Sequence, residues 1–169
     1  MMDATTLRRS IESFLAAHHV MSLATTADDG GVHVASLFYA LEGLSLVWTS
    51  DPASRHSQHL EAHHQAAATV APDCADFRAV RGLQITGTAR RLRSAAEVEH
   101  ASREMRRRYA FLDELASGPP ALREAWARAG FYRLDVERIT LIDNGLGFGH
   151  KASLQVLADG TVVLDCGDG

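Results

Sequence analysis

Leu44-Ser45-Leu46-Val47-Trp48-Thr49-Ser50-Asp51-Pro52-Ala53-Ser54-Arg55-His56 runs from an apolar strand, through an Asp-Pro turn, into a helix that carries Ser, Arg and His. Residues 44–49 have β character, Asp51-Pro52 is turn chemistry, and the Ser-Gln-His-Leu-Glu-Ala-His-His continuation favours a helix over about residues 53–64. Such a restart leaves the first N–H groups of the helix unpaired, at the positive end of its dipole. A phosphate there would gain those donors, the Ser54 hydroxyl and the fixed cation of Arg55. The plainer reading of the same residues is a capped surface helix with solvated side chains.

Outward from this stretch the chain reads as short strands joined by hairpin turns. Residues 20–25, 32–41 and 44–49 are β-rich and are separated by Asp28-Asp29-Gly30-Gly31 and Glu42-Gly43, which makes an antiparallel meander. Ahead of it, Leu7, Ile11, Phe14, Leu15 and His18 recur at helical spacing, with Thr5-Thr6 as caps and an end near His18-His19. Downstream come strands over 66–71 and 79–92, the second with Gly82 and Gly87 at bulge or bend positions. Helices over 94–108 and 120–128 read as peripheral, the first opened by Ser94 three residues before Glu97. A long strand over 131–142 and a hairpin of 154–157 with 162–164 close the pattern. Seven or eight strands with three or four helices, joined by hairpins, predict a mainly β fold: an antiparallel barrel with peripheral helices, not a doubly wound parallel sheet.

The 169 residues, 46% of them hydrophobic, are read as one domain over residues 1–169. A formal charge of -4 argues against general nucleic-acid affinity, and the local run Arg106-Arg107-Arg108 reads as a solvated helix face. Neither a basic-then-apolar leader nor an apolar run near the ~20 residues of a bilayer span is present, so a cytoplasmic location without membrane contact is expected. Cys74 and Cys166 lie far apart without Cys-x-x-Cys spacing and are read as free thiols. His56, His59 and His63 share one helix face, but three residues over two turns cannot easily converge on one tetrahedral ion, so no metal site is expected. Tyr39, Trp48, Phe131 and Tyr132 read as core or interface aromatics. No paired carboxylates and no Ser/His/Asp arrangement stand out, which leaves the chemistry to a cofactor.

Three segments in this order carry a resemblance. The strand His33-Val34-Ala35-Ser36-Leu37-Phe38-Tyr39, then Leu46-Val47-Trp48-Thr49-Ser50 and Ser54-Arg55-His56, resembles the strand pair and "Ser-Arg-Lys" phosphate turn of the pyridoxamine 5'-phosphate oxidase-like FMN-binding split-barrel family. Arg81-Gly82-Leu83-Gln84-Ile85-Thr86-Gly87-Thr88-Ala89 is similar to the family's "Arg-Gly-x-x-x-x-Gly-x-Ala" strand, and Asp143-Asn144-Gly145-Leu146-Gly147-Phe148-Gly149-His150-Lys151 to the tail of a small bacterial subgroup. The resemblance implies an FMN-binding homodimer with the cofactor in a cleft between protomers, and a flavin-dependent oxidoreductase acting on a small-molecule substrate. Ser54 and Arg55 would hold the phosphate, with His56 where many members have Lys. Thr49 and Ser50 would lie near the ring and ribityl chain, the backbone of 34–37, including Ala35 and Ser36, at the ring's polar edge, and Gln84 would supply an amide contact. A His in place of Lys makes phosphate affinity pH-dependent. The chain after Leu154 has neither Arg nor His, so vitamin B6 oxidation is not expected. The family also contains haem binders, so a non-catalytic flavin- or haem-binding sensor or carrier is the alternative, and a deazaflavin could replace FMN. The loop 145–149 is either a cofactor cover, through Phe148 or His150, or a flexible bend.

Overall fold

The computed structural model describes residues 3–165. Helix α1 (Ala4–Ala17) buries Leu7, Ile11, Phe14 and Leu15 along one stripe. Its cap is Asp3, whose carboxylate accepts from the Thr6 N–H at 2.8 Å, and not the Thr5-Thr6 pair expected from the sequence. Strands β1 (Val20–Thr26) and β2 (Val32–Phe38) follow as a hairpin, then β3 (Ala40–Glu42) and β4 (Ser45–Ser50) as another. The chain continues through α2 (Arg55–Ala62), β5 (Gln65–Val70), a 3-10 turn (Phe77–Ala79) and β6 (Arg81–Arg91). Three consecutive helices, α3 (Ala95–Arg108), α4 (Phe111–Ser117) and α5 (Pro120–Arg128), lead to β7 (Gly130–Asp143). A second 3-10 turn (Asn144–Leu146) and the hairpin of β8 (Lys151–Val156) with β9 (Val162–Asp165) end the described chain.

All described strand pairs are antiparallel, and they form one curled sheet in the order β2-β1-β5-β6-β7-β4-β3, with β8 and β9 continuing from β7. Strand β7 is the divide. One of its edges pairs with β6 along most of its length, while the other pairs with β4 through Gly130 to Leu134 and with β8 through Arg138 to Ile142. A long strand shared in this way splits the barrel wall, and the fold is the antiparallel split barrel expected from the hairpins.

The strand expected over 32–41 breaks at Tyr39, where the chain leaves the β1 edge of the sheet and joins β4 near the other edge. Tyr39 is fully buried, and its hydroxyl donates to the Leu15 carbonyl at 2.8 Å. Gly87 meets its expected role, because the β6 register shifts between Thr86 and Gly87, whereas Gly82 stays in register with Ile142. The helices lie outside the barrel as expected, but α3 and α4 do more than decorate it. Ala101, Met105 and Leu112 join Ala40, Val47, Leu92, Tyr109 and Phe131 in a second core, separate from the barrel core built around Leu23, Trp48, Ile85 and Ile139. Helix α4 was not expected, and among the described residues the strand count is nine. Cys74 is a free, exposed thiol, and Cys166 lies outside the described residues.

A Cβ at Gly87 would stand 2.1 Å from the Asp135 carbonyl oxygen, on the backbone of the facing strand. Gly87→Ala should therefore lower unfolding stability by about 1–3 kcal/mol, the usual cost of forced overpacking. An unchanged urea midpoint would refute this close approach.

Candidate functional site

Helix α2 begins where β4 ends, after a turn in which the Asp51 carboxylate accepts from the Ala53 N–H at 2.8 Å. Ser54 is the N-cap residue, with an extended φ of -64° and ψ of 149°, yet its side chain makes no cap hydrogen bond. Its hydroxyl instead donates to Ser57 Oγ at 2.8 Å and lies 3.3 Å from Ser50 Oγ. The first-turn N–H groups of α2 are left without a side-chain acceptor, which is the arrangement an anion uses. Arg55 is exposed and, among the described residues, makes no hydrogen bond or ion pair. An uncommitted cation beside an uncapped helix start fits a phosphate.

His56 lies behind the serines and is buried, with Nε2 at 2.7 Å from Ser50 Oγ and 3.1 Å from Ser54 Oγ. Burial pushes its pKa below the ordinary histidine value, and the neighbouring His33 and His59 push in the same direction. The His expected as a partly charged stand-in for Lys thus has its charged form disfavoured by its surroundings, and its ring orients the two hydroxyls. His33 arrives from β2, opposite Thr25, and its ring is parallel to that of His56 at a centroid distance of 6.2 Å. His59 approaches His33 edge-on and sits 3.1 Å from Thr25 Oγ1 through Nδ1, while His63 Nε2 turns to Asp28 Oδ1 at 2.7 Å. The shared helix face is thus divided among separate partners, and among the described residues no group of three His, Cys, Asp or Glu side chains is placed to hold a metal.

Ser50 connects this seat to a cavity of about 340 Å³. The cavity floor is the end of β2, with Ser36, Leu37 and Phe38, together with Thr49, Ser50 and Asp51 at the end of β4. Its roof is helical: Met105 of α3, Phe111, Leu112 and Leu115 of α4, and Leu122, Ala125 and Trp126 of α5. Thr49 is fixed by donating to the Gly130 carbonyl at 3.1 Å. Ser36 and Ala35 sit on opposite faces of β2, Ser36 exposed at the cavity and Ala35 half-buried opposite Leu23. Because β2 is the first strand in the sheet order, one edge of its backbone has no strand partner there.

Gln84 does not join the others. It is exposed on the outer sheet face, in one transverse row with Ser36, Ser22, Thr69, Thr140 and Ser153, as the register requires. The loop 145–149 also lies apart. It is a hydrogen-bonded turn, not a flexible bend: Asp143 Oδ1 accepts from the Gly145 N–H at 3.0 Å, and Asn144 Oδ1 from the Gly149 N–H at 3.0 Å. Phe148 is 86% exposed and meets Phe77 edge-on, so within this chain it covers no cofactor site.

Sequence reasoning missed His33, Thr25, Ser57 and helix α4 of the roof, and it read α3 and α5 only as peripheral helices. The roof left a signal, since Phe111, Leu112 and Leu115 lie at helical spacing with Asp113 and Glu114 in the first turn. The histidine contact left none, because it depends on the pairing of Thr25 with His33.

A family profile described as pyridoxamine 5'-phosphate oxidase matches residues 7–143. The chain belongs to the pyridoxamine 5'-phosphate oxidase-like family. Within curated sequences, a UPF0306 protein of Photorhabdus laumondii is 27% identical over 156 residues, covering 91% of this chain and 99% of its own length. Among solved structures, a haem-binding protein from Mycobacterium smegmatis superposes with a TM-score of 0.70 at 18% identity, covering 88% of this chain, which spans 57% of that protein. HutZ, the haem storage protein of Vibrio cholerae, superposes at 0.62 and 17% identity, covering 76% of this chain and 89% of its own. These likenesses share the family's split barrel. Among the described residues no helix is long and apolar enough to cross a membrane.

The depressed pKa of His56 gives a sign for pH dependence. The unfolded chain takes up the proton first, so His56 contributes stability above its ordinary value of about 6.5, and that stability is lost as the pH falls through the lower folded value. The urea midpoint of the wild type should fall below about pH 6.5, and His56→Gln should flatten part of that fall. Equal pH slopes in the two proteins would refute the buried neutral ring.

Proposed function

We propose that this chain binds FMN, with the phosphate at the start of α2, and works as a flavin-dependent oxidoreductase on a small molecule. The observation that carries this reading is the uncapped helix start beside unpaired Arg55, joined through Ser50 to a cavity of about 340 Å³. Ser54 and the first-turn N–H groups would bind phosphate oxygens, and Arg55 would supply the opposite charge. His56 holds the Ser50 and Ser54 hydroxyls in place. Thr49 and Ser50, at the strand end, would flank the ring and ribityl chain, with the open backbone edge of β2 at Ala35 and Ser36 alongside. FMN, when bound, supplies hydride and electron transfer at its isoalloxazine.

The placement of Gln84 supports a homodimer. Gln84 stands on the outer sheet face on β6, three strands away from β2 in the sheet order, so it would reach a cofactor beside β2 and β4 only from a second copy packed against that face. That face also exposes Val20, Val32, Val34 and Phe38, an apolar row of the kind a protein partner covers. A haem-binding carrier is the second reading, favoured by the haem-binding and haem storage proteins with which this fold superposes. Against it, among the described residues no histidine lines the cavity.

The absorption spectrum of the purified protein, followed by titration with FMN and with haem, separates the two readings. FMN uptake with Arg55→Ala weakened by about tenfold or more, the worth of one charge-assisted hydrogen bond, is the expected result. A Soret band on haem addition with no FMN uptake would replace the flavin reading, and FMN affinity unchanged in Arg55→Ala would remove the seat.

A further inference from the structure

The cavity under α4 and α5 has a chemistry of its own, apart from the phosphate seat. Phe38, Phe111 and Leu122 are 48%, 37% and 44% exposed, and all three line this cavity, beside Leu115, Trp126 and Met105. The rings of Phe38 and Phe111 lie 5.3 Å apart and tilted, so the wall is already built of aromatic faces and edges. Apolar walls left wet carry a cost that an apolar occupant removes.

The polar groups of the lining are mostly committed to the frame. Thr49 donates to the Gly130 carbonyl, Ser50 is held by His56 and Ser54, and the Asp51 carboxylate accepts from the Ala53 N–H. Ser36 is the lining hydroxyl with no hydrogen-bond partner among the described residues. Among those residues no Lys, Arg or His lines the cavity, and its one charged group is the Asp51 carboxylate. An anion entering here would lose its hydration, gain no counter-charge and meet a like charge. About 340 Å³ is at the small end of ligand pockets, room for a one- or two-ring molecule.

We infer that this cavity is the substrate pocket and that it takes uncharged, largely apolar aromatic compounds of one or two rings, bearing one hydrogen-bonding group for Ser36, while rejecting phosphorylated and carboxylate substrates. The inference rests on the flavin reading for its link to catalysis, since Ser50 is shared by the seat and the cavity. Binding selectivity itself does not require the flavin.

Three matched probes test it: 2-naphthol, neutral near pH 7, 2-naphthoate and 2-naphthyl phosphate. Each is titrated by calorimetry into the cofactor-free protein and into protein saturated with FMN. The expected result is 2-naphthol bound at least tenfold more tightly than 2-naphthoate in both forms, and at least tenfold more tightly than 2-naphthyl phosphate in the FMN-saturated form, where the phosphate seat is filled. Leu122→Lys, at a half-exposed helix position, should narrow or reverse that ratio by giving 2-naphthoate a partner, an outcome that simple disruption of the pocket would not produce. Equal affinity for all three probes, no binding of 2-naphthol, or its displacement by FMN would overturn the inference, the last by making the cavity the seat of the flavin ring. FMN failing to bind while the naphthol selectivity and its Leu122→Lys reversal persist would remove the flavin reading and leave the pocket's ligand class standing.

Discussion

The corner at Tyr39 is the constraint on which the rest of the architecture depends. There the chain passes from a strand paired with β1 to a strand paired with β4, so one residue ties two distant parts of the sheet together. Its phenol is fully buried, its hydroxyl donates to the Leu15 carbonyl at 2.8 Å, and its own carbonyl accepts from the Tyr109 hydroxyl at 2.6 Å. Arg108 lies over the Tyr39 ring at 4.9 Å and donates to the Leu15 carbonyl at 2.9 Å and to the His18 carbonyl. A cation at the end of α1 satisfies carbonyls that have no helical partner and sits at the negative end of the dipole. The last turn of α1, the strand corner and the end of α3 are therefore one hydrogen-bonded unit. Burial pushes the Tyr39 hydroxyl up to about 12, so it remains a donor across the working pH range.

From that corner the site follows. Joining β2 to β4 places Ser36, Leu37 and Phe38 next to Thr49, Ser50 and Asp51, and these six residues are the cavity floor. The turn after β4 then launches α2 with its first residues at the same spot. The usual economy of a helix start is reversed here: Ser54 gives its hydroxyl to Ser57 and the serine pair, and leaves the backbone donors open. Stability forgone at the cap is consistent with a position kept for a ligand.

The three helices between β6 and β7 distinguish this chain's site from the barrel that carries it. They bury a second core against the outer side of β3 and β4, through Val47, Ala101, Met105 and Phe131, and the space left between that core and the strand ends is the cavity. The barrel supplies the seat, and the helical insert supplies the apolar roof.

The barrel was legible in the sequence because local chemistry and tertiary structure agree along most of it. Gly-containing turns between β-rich runs dictate hairpins, Gly87 falls at the register shift, and the Asp-Pro break at residues 51–52 places the start of α2. Ser54 and Arg55 were legible for the same reason, since a helix start is a local feature. What tertiary structure decided are the properties that depend on who sits opposite whom. The strand expected over 32–41 breaks because Tyr39 is pulled into a core of distant residues. The His56 pKa is pushed below its ordinary value by burial first, and then by His33, brought in by a strand register, and by His59. Gln84 lies apart from Ser36 and Ser50 because the sheet order puts its strand three places from β2. Sequence alone determined the hairpin order of the barrel and the start of α2, both of which are local. Burial, register and the enclosure of the cavity were settled only when elements far apart in the chain packed together, because each is a property of a pair of surfaces and not of a segment.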